Sequence, residues 1–159
     1  MIVIVLGCGR VGGYLANFLA EQGHHVTVID KNPAAFRILG NEFVVERVRE
    51  VRKGEEEKEA EKTFTAHTHI CCVIGSGIDE EVLKDAGMER AEAFAAVTDN
   101  DYINIMASLI AKEIYHIPKV ITGIVNPRRL KITQELGLEA ICPLTLGAHF
   151  IFDALVKKS

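Results

Sequence analysis

Six short apolar runs rich in β-branched residues alternate along the chain with longer stretches at helical spacing, and this alternation leaves few folds open. The runs cover residues 2–6, 25–30, 70–74, 94–97, 119–124 and 140–142. Most are nearly continuous in apolar residues, a pattern suited to parallel strands covered on both faces. Helical stretches fall between or after them, at 11–22, 33–39, 79–86, 102–115, 128–136 and 144–156. Gly23, Gly87 and Gly137 stand where helices should stop. Asn32-Pro33 reads as an N-cap followed by proline at the first helical position. The expected fold is α/β: a Rossmann-like, doubly wound, mainly parallel six-stranded sheet of order 3-2-1-4-5-6, with helices on both faces.

Residues 1–143 read as one Rossmann-type domain and 144–159 as a C-terminal helix that could serve as a dimer element. One stretch breaks the rhythm, a charged excursion at 46–69. Between Glu46 and Lys62 it holds seven Glu and six Lys or Arg around Gly54. Val45, Val48 and Val51 have helical spacing there, while Gly54 interrupts it, so a solvated helix, a hairpin and an interaction arm all stay open.

Composition narrows the function. A hydrophobic share of 48% in 159 residues is enough to build a core and excludes general disorder. With 22 acidic against 18 basic residues, the net charge of −4 argues against a non-specific nucleic-acid binder. No apolar run approaches the roughly 20 residues that span a bilayer, and residues 1–6 form no signal-peptide core, so the expected location is intracellular. Four cysteines in that setting should be reduced thiols.

Gly7-Cys8-Gly9-Arg10-Val11-Gly12 follows the first strand and opens the first helix, the context in which G-x-G-x-x-G carries meaning. Gly7 permits the tight turn, Gly9 lets backbone approach a pyrophosphate, and Gly12 lets helix and strand pack closely. The helix N-terminus offers unpaired N–H groups and a positive dipole end to an anion. Arg10 opposes that dipole in an isolated helix, by roughly 0.3–1 kcal/mol, but would clamp a bound polyphosphate. Asp30 closes the second strand, 18 positions after Gly12. A carboxylate there suits the ribose hydroxyls of an adenosine and repels a 2′-phosphate, favouring NAD over NADP. With Asn32 as the cap, Asp30 is left for that task.

The stretches GCGRVGGYLANFLAEQGHHVTVIDKNP and DEEVLKDAGMERAEAFAAVTDNDYINIMASLIAKEI resemble the TrkA-N family, the nucleotide-binding RCK/KTN domain that regulates potassium channels and transporters. The resemblance rests on Arg10 within the glycine loop, on Glu80-Glu81-Val82-Leu83 leading to Ala86-Gly87, and on Thr98-Asp99-Asn100-Asp101 leading to Asn104. It implies a cytoplasmic regulatory subunit that binds NAD or NADH, or ATP or ADP. It implies pairing into homodimers or rings, and peripheral attachment at the inner membrane face through a potassium transporter or channel subunit. Carried onto this sequence, Gly7, Cys8, Gly9, Arg10, Val11 and Gly12 would hold phosphates, and Asp30 and Lys31 the adenosine ribose. Ser76 would lie near the adenine, and Thr98 and Asp99 would line the cleft. The chain departs from the family at Gly75-Ser76-Gly77, where an Asp is usual, and at Gly123, where a basic residue is common. The absence of a further regulatory domain or pore domain reads as a stand-alone subunit.

Other signals weigh less. His67-x-His69 lacks a third metal ligand at fixed spacing. Cys71 and Cys72 point to opposite faces of a strand and read as packing residues. The sequence holds no G-x-S-x-G, no P-loop and no acid–base constellation, so the reading is not an enzyme. The alternative is an NAD-dependent oxidoreductase, or a piece of one, with its substrate domain on another chain. A scaffold for a different partner has only the charged stretch to support it. In the last helix, Leu146, Phe150 and Leu155 could cover the core, leaving Phe152 and Val156 nearer the other face, and a terminal helix apolar on more than one face tends to bury itself against a partner.

Overall fold

The computed structural model describes residues 1–40, 44–50 and 69–156. Among the described residues seven strands form one parallel sheet: β1 (Ile2–Leu6), β2 (His25–Asp30), β3 (Val44–Glu50), β4 (His69–Ile74), β5 (Ala93–Ala96), β6 (Lys119–Gly123) and β7 (Glu139–Ile141). Their order is β3-β4-β2-β1-β5-β6-β7. The six strands expected from the sequence stand in the expected order, and β3 is an addition at the edge beside β4. It begins ahead of the charged stretch and takes in its first residues. Edge strands tolerate charge, because one flank lacks a neighbouring strand. The helical spacing of Val45 and Val48 therefore gave way to strand pairing. Residues 51–68, with Val51, Gly54 and His67, lie outside the described residues.

The helices are α1 (Arg10–Glu21), α2 (Glu80–Asp85), α3 (Asp101–Leu109), α4 (Leu130–Glu135) and α5 (Pro143–Val156). Residues Pro33–Leu39 wind as 3-10 helix, capped by Asn32, whose Oδ1 accepts from Ala34 N at 3.0 Å. The stretch expected as one helix over 102–115 is α3 followed by a π turn, Ile110–Ile114. Gly23, Gly87 and Gly137 all adopt positive φ, as their helix-stopping positions require.

Strand alternation sends side chains to two cores. Ile4, Leu6, Ile29 and Phe94 meet α2 and α3 through Leu83 and Ala107. Val3, Val5, Val26 and Val28 meet α1 and the 3-10 segment through Ala16, Ala20, Phe36 and Leu39. Burying each large side chain contributes about 1.5–3 kcal/mol. Small residues let α1 lie close to its neighbours: a methyl on Gly13 would strike the side chain of Ile38. All four cysteines are thiols; Cys72 lies fully inside the second core, and burial pushes its pKa up to about 12.

α5 departs from expectation. Leu146, Phe150 and Leu155 are all exposed and do not cover the core, and no residue of the helix is buried. Phe152 and Val156 are exposed as well, so the helix shows apolar side chains all round. Among the described residues no helix is long and apolar enough to cross a membrane.

Candidate functional site

The loops after β1, β2, β4, β5 and β6 gather at the carboxyl end of the sheet, on either side of β1, where the strand order reverses. Gly7 carries the chain out of β1 at φ 99°, with its N–H donated to Ile29 O at 2.7 Å. A Cβ on Gly7 would lie 2.9 Å from the Thr98 backbone, so the end of β1 is pressed against the loop after β5. A Cβ on Gly12 would overlap Gly7 O. Gly9 differs: nothing lies within 4 Å of a Cβ built there. It is the N-cap of α1, with no side-chain cap and no acidic residue in the first turn. The first internal bond of the helix is Gly13 N to Gly9 O, at 2.8 Å, leaving the N–H groups just before it without helical partners. Arg10 and Val11 are exposed at this end, and no ion pair joins Arg10 to a described residue. Space, orphan donors and a cation thus meet at one point, an arrangement suited to an anion.

Cys8 contributes only backbone here. Its side chain is buried in the core beside α1, and burial, aided by the nearby Asp30 charge, pushes its pKa up to about 12. Its N–H is donated to Asp30 Oδ2 at 2.7 Å. Asp30 Oδ1 accepts from Asn32 N at 2.8 Å. Asp30 is therefore not idle: one carboxylate ties the glycine loop to the turn after β2. Each oxygen keeps a second acceptor direction. Lys31 is exposed beside it. Ser76 is exposed in the loop after β4, and its carbonyl accepts from Asp79 N at 3.0 Å.

Thr98 belongs to a tight network. Its N–H and its Oγ1 both donate to Asn104 Oδ1, at 3.0 and 2.6 Å. Asn104 Nδ2 in turn donates to Thr98 O and to Gly123 O, at 3.0 and 2.9 Å, so one buried amide pins the ends of β5 and β6 together. Asn100 caps α3, accepting from Tyr102 N and Ile103 N. Asp99 stays exposed at the rim.

Beside Asp99 opens a cavity of about 230 Å³ between the loops after β5 and β6. The sequence reading singled out no function for several of its residues. Asp101 is 3% exposed and accepts from Val125 N at 2.6 Å, Asn126 N at 3.2 Å and Arg129 Nη1 at 2.8 Å. Burial works against its charge, but these donors outweigh it and hold its pKa below the usual carboxylate value. The Arg129 guanidinium lies 4.6 Å from the centre of the Tyr102 ring. Asp101 reads in sequence as a helix-start acid, and only the fold shows that it grips the next loop. A signal did exist at Asn126-Pro127, which repeats the Asn32-Pro33 signature and caps its own turn through Arg128 N.

The TrkA-N domain profile matches residues 3–143. The Trk system potassium uptake protein TrkA of Streptomyces coelicolor is 37% identical over 158 residues, covering 99% of this chain and 60% of that protein. A TrkA homolog of Pyrococcus abyssi is 30% identical over 164 residues, covering 98% of this chain and 60% of that protein. The chain thus spans about three-fifths of the length of these relatives. Among solved structures, the TrkA-N domain of the Escherichia coli inner membrane protein ybaL superposes with a TM-score of 0.71 at 17% identity, over 98% of this chain and 96% of that one. The AMP-bound Kef C-terminal domain of Shewanella denitrificans gives 0.70 at 16% identity, over 99% and 84%. The GsuK channel bound to NAD gives 0.61 at 18% identity, over 91% and 21%. At such identities these structures establish the shared fold.

Proposed function

The chain belongs to the TrkA-N domain family, and from that premise we propose that it is a cytoplasmic, nucleotide-sensing regulatory unit of a potassium transporter or channel. NAD or NADH is the favoured ligand, with ATP and ADP as competitors. The observation that carries this reading is the open space at Gly9, set against the uncapped start of α1 and flanked by Arg10 and Asp30. Orphan N–H groups and Arg10 would hold the pyrophosphate. Asp30 would use its remaining acceptor directions on the adenosine ribose. Ser76 would approach the adenine, and Thr98 would shape the floor without leaving its bonds to Asn104.

The unit would act as a homodimer or a larger ring, with α5 as the contact between copies. Its apolar side chains lack cover, which supports that role. Ligand would act by binding one arrangement of the assembly more tightly than another. Calorimetry with NAD, NADH, NADP, ATP and ADP tests the reading. Arg10→Ala should weaken every diphosphate-bearing ligand about tenfold, the loss of one charge-assisted contact. Silence toward all five ligands, or turnover of NADH with small carbonyl compounds, would end the proposal.

A further inference from the structure

We propose that the outer face of α1, together with the 3-10 segment beside it, docks on an anionic membrane surface. This contact is direct, between the chain and lipid, and does not depend on the nucleotide reading above.

Helix α1 places small residues inward and bulky ones outward. Its buried residues are Gly12, Gly13, Ala16 and Ala20, while Val11, Tyr14 and Phe18 are 44%, 60% and 61% exposed. A surface helix ordinarily sends its bulky apolar side chains to the core and its polar ones to water. Positions 11, 14 and 18 have the spacing of one helix face, so they form a single stripe. The Tyr14 and Phe18 rings stand 6.4 Å apart, centre to centre. With Arg10 and Leu15, these three residues line an open groove of about 410 Å³.

Charge selects the occupant. The 3-10 segment lies against α1, since a methyl on Gly13 would strike Ile38. Arg10 on α1, Lys31 just ahead of the 3-10 segment and Arg37 within it are all exposed, and residues 10–21 and 31–39 hold a single acid, Glu21. The face is thus cationic on a chain of net charge −4. None of the three cations has an ion-pair partner among the described residues. Aromatic rings flanked by basic side chains suit the boundary between headgroups and acyl chains, where the rings enter and the cations meet lipid phosphates. A second copy of the chain fits less well. Two α1 faces would set like charges against each other, and α5 with the residues after it sets one acid, Asp153, against Lys157 and Lys158, so it is cationic too.

Cosedimentation of the full chain tests the proposal, with vesicles of phosphatidylcholine alone and of equal parts phosphatidylcholine and phosphatidylglycerol. Wild type should bind the mixed vesicles at low salt, show no binding to the neutral ones, and detach as salt screens its charges. The double variant Tyr14→Gln, Phe18→Gln keeps good helix formers on α1 and should weaken binding about tenfold or more. Arg37→Gln, at a residue outside the nucleotide site, should weaken it about fivefold, the share of one cation near an anionic surface. Thermal melts verify that both variants fold. No binding to the mixed vesicles, equal binding to the neutral ones, or undiminished binding by the α1 double variant would overturn the proposal. So would light scattering without vesicles that finds wild type at a multiple of the chain's mass and the α1 double variant at a single chain, because a second copy would then cover the face.

Discussion

A methyl group added at Gly9 and one added at Gly12 meet opposite surroundings. At Gly12 it would overlap a backbone oxygen that cannot move aside. Gly12→Ala should destabilise the fold by about 2–3 kcal/mol, seen as a melting temperature roughly 5–10 °C lower. At Gly9 the backbone has φ −74° and the space is open, so alanine fits. Gly9→Ala should cost no more than about 1 kcal/mol of stability, yet weaken nucleotide binding about tenfold or more by filling the approach to the α1 N-terminus. Melting curves and calorimetry on the two variants separate a glycine kept for packing from one kept for a ligand. Asp101 gives a residue-scale prediction in pH. Its folded pKa lies below the unfolded value, so its contribution is present above the unfolded pKa, near 3.9, and is lost as pH falls through the folded one. Asp101→Asn should cost about 2 kcal/mol at pH 7 and flatten the fall in melting temperature between pH 5 and pH 3, read by thermal melts across that range.

At the scale of elements, α5 stands apart. Phe150 is 76% exposed and Leu155 80%, on a helix that buries none of its residues. Since these side chains support no internal packing, the double variant Phe150→Glu, Leu155→Glu should leave the melting temperature within about 2 °C. If α5 joins copies, light scattering should show wild type at a multiple of the 17.5 kDa chain and the variant at a single chain. A wild type already at one chain's mass would remove a second copy as the cover for α5. The other elements show where local pattern sufficed. The cap at Asn32 is short-range chemistry between a side chain and an N–H group two residues on, so it was legible. The 3-10 winding after Asn32 and the π turn after α3 were not, because apolar spacing alone does not tell those turns from α-helix.

Across the whole molecule, the sequence by itself determined the six-stranded doubly wound order, the two-sided core and the glycine turn between β1 and α1. Those follow from alternation of apolar runs, from chain direction and from glycines in a strand–turn–helix context, all of which are local. It placed Asp30 at the end of β2 but not its bonds to Cys8 and Asn32, since a carboxylate's partners depend on how two loops meet. The tertiary structure alone decided three further matters. The edge pairing of β3 depends on a register between segments far apart in the chain. The exposure of α5 depends on where the last strand releases it. The cavity joining Asp99 and Asp101 to Asn126 and Arg129 depends on β5 and β6 lying side by side, because residues more than 20 positions apart become neighbours only when the sheet aligns them.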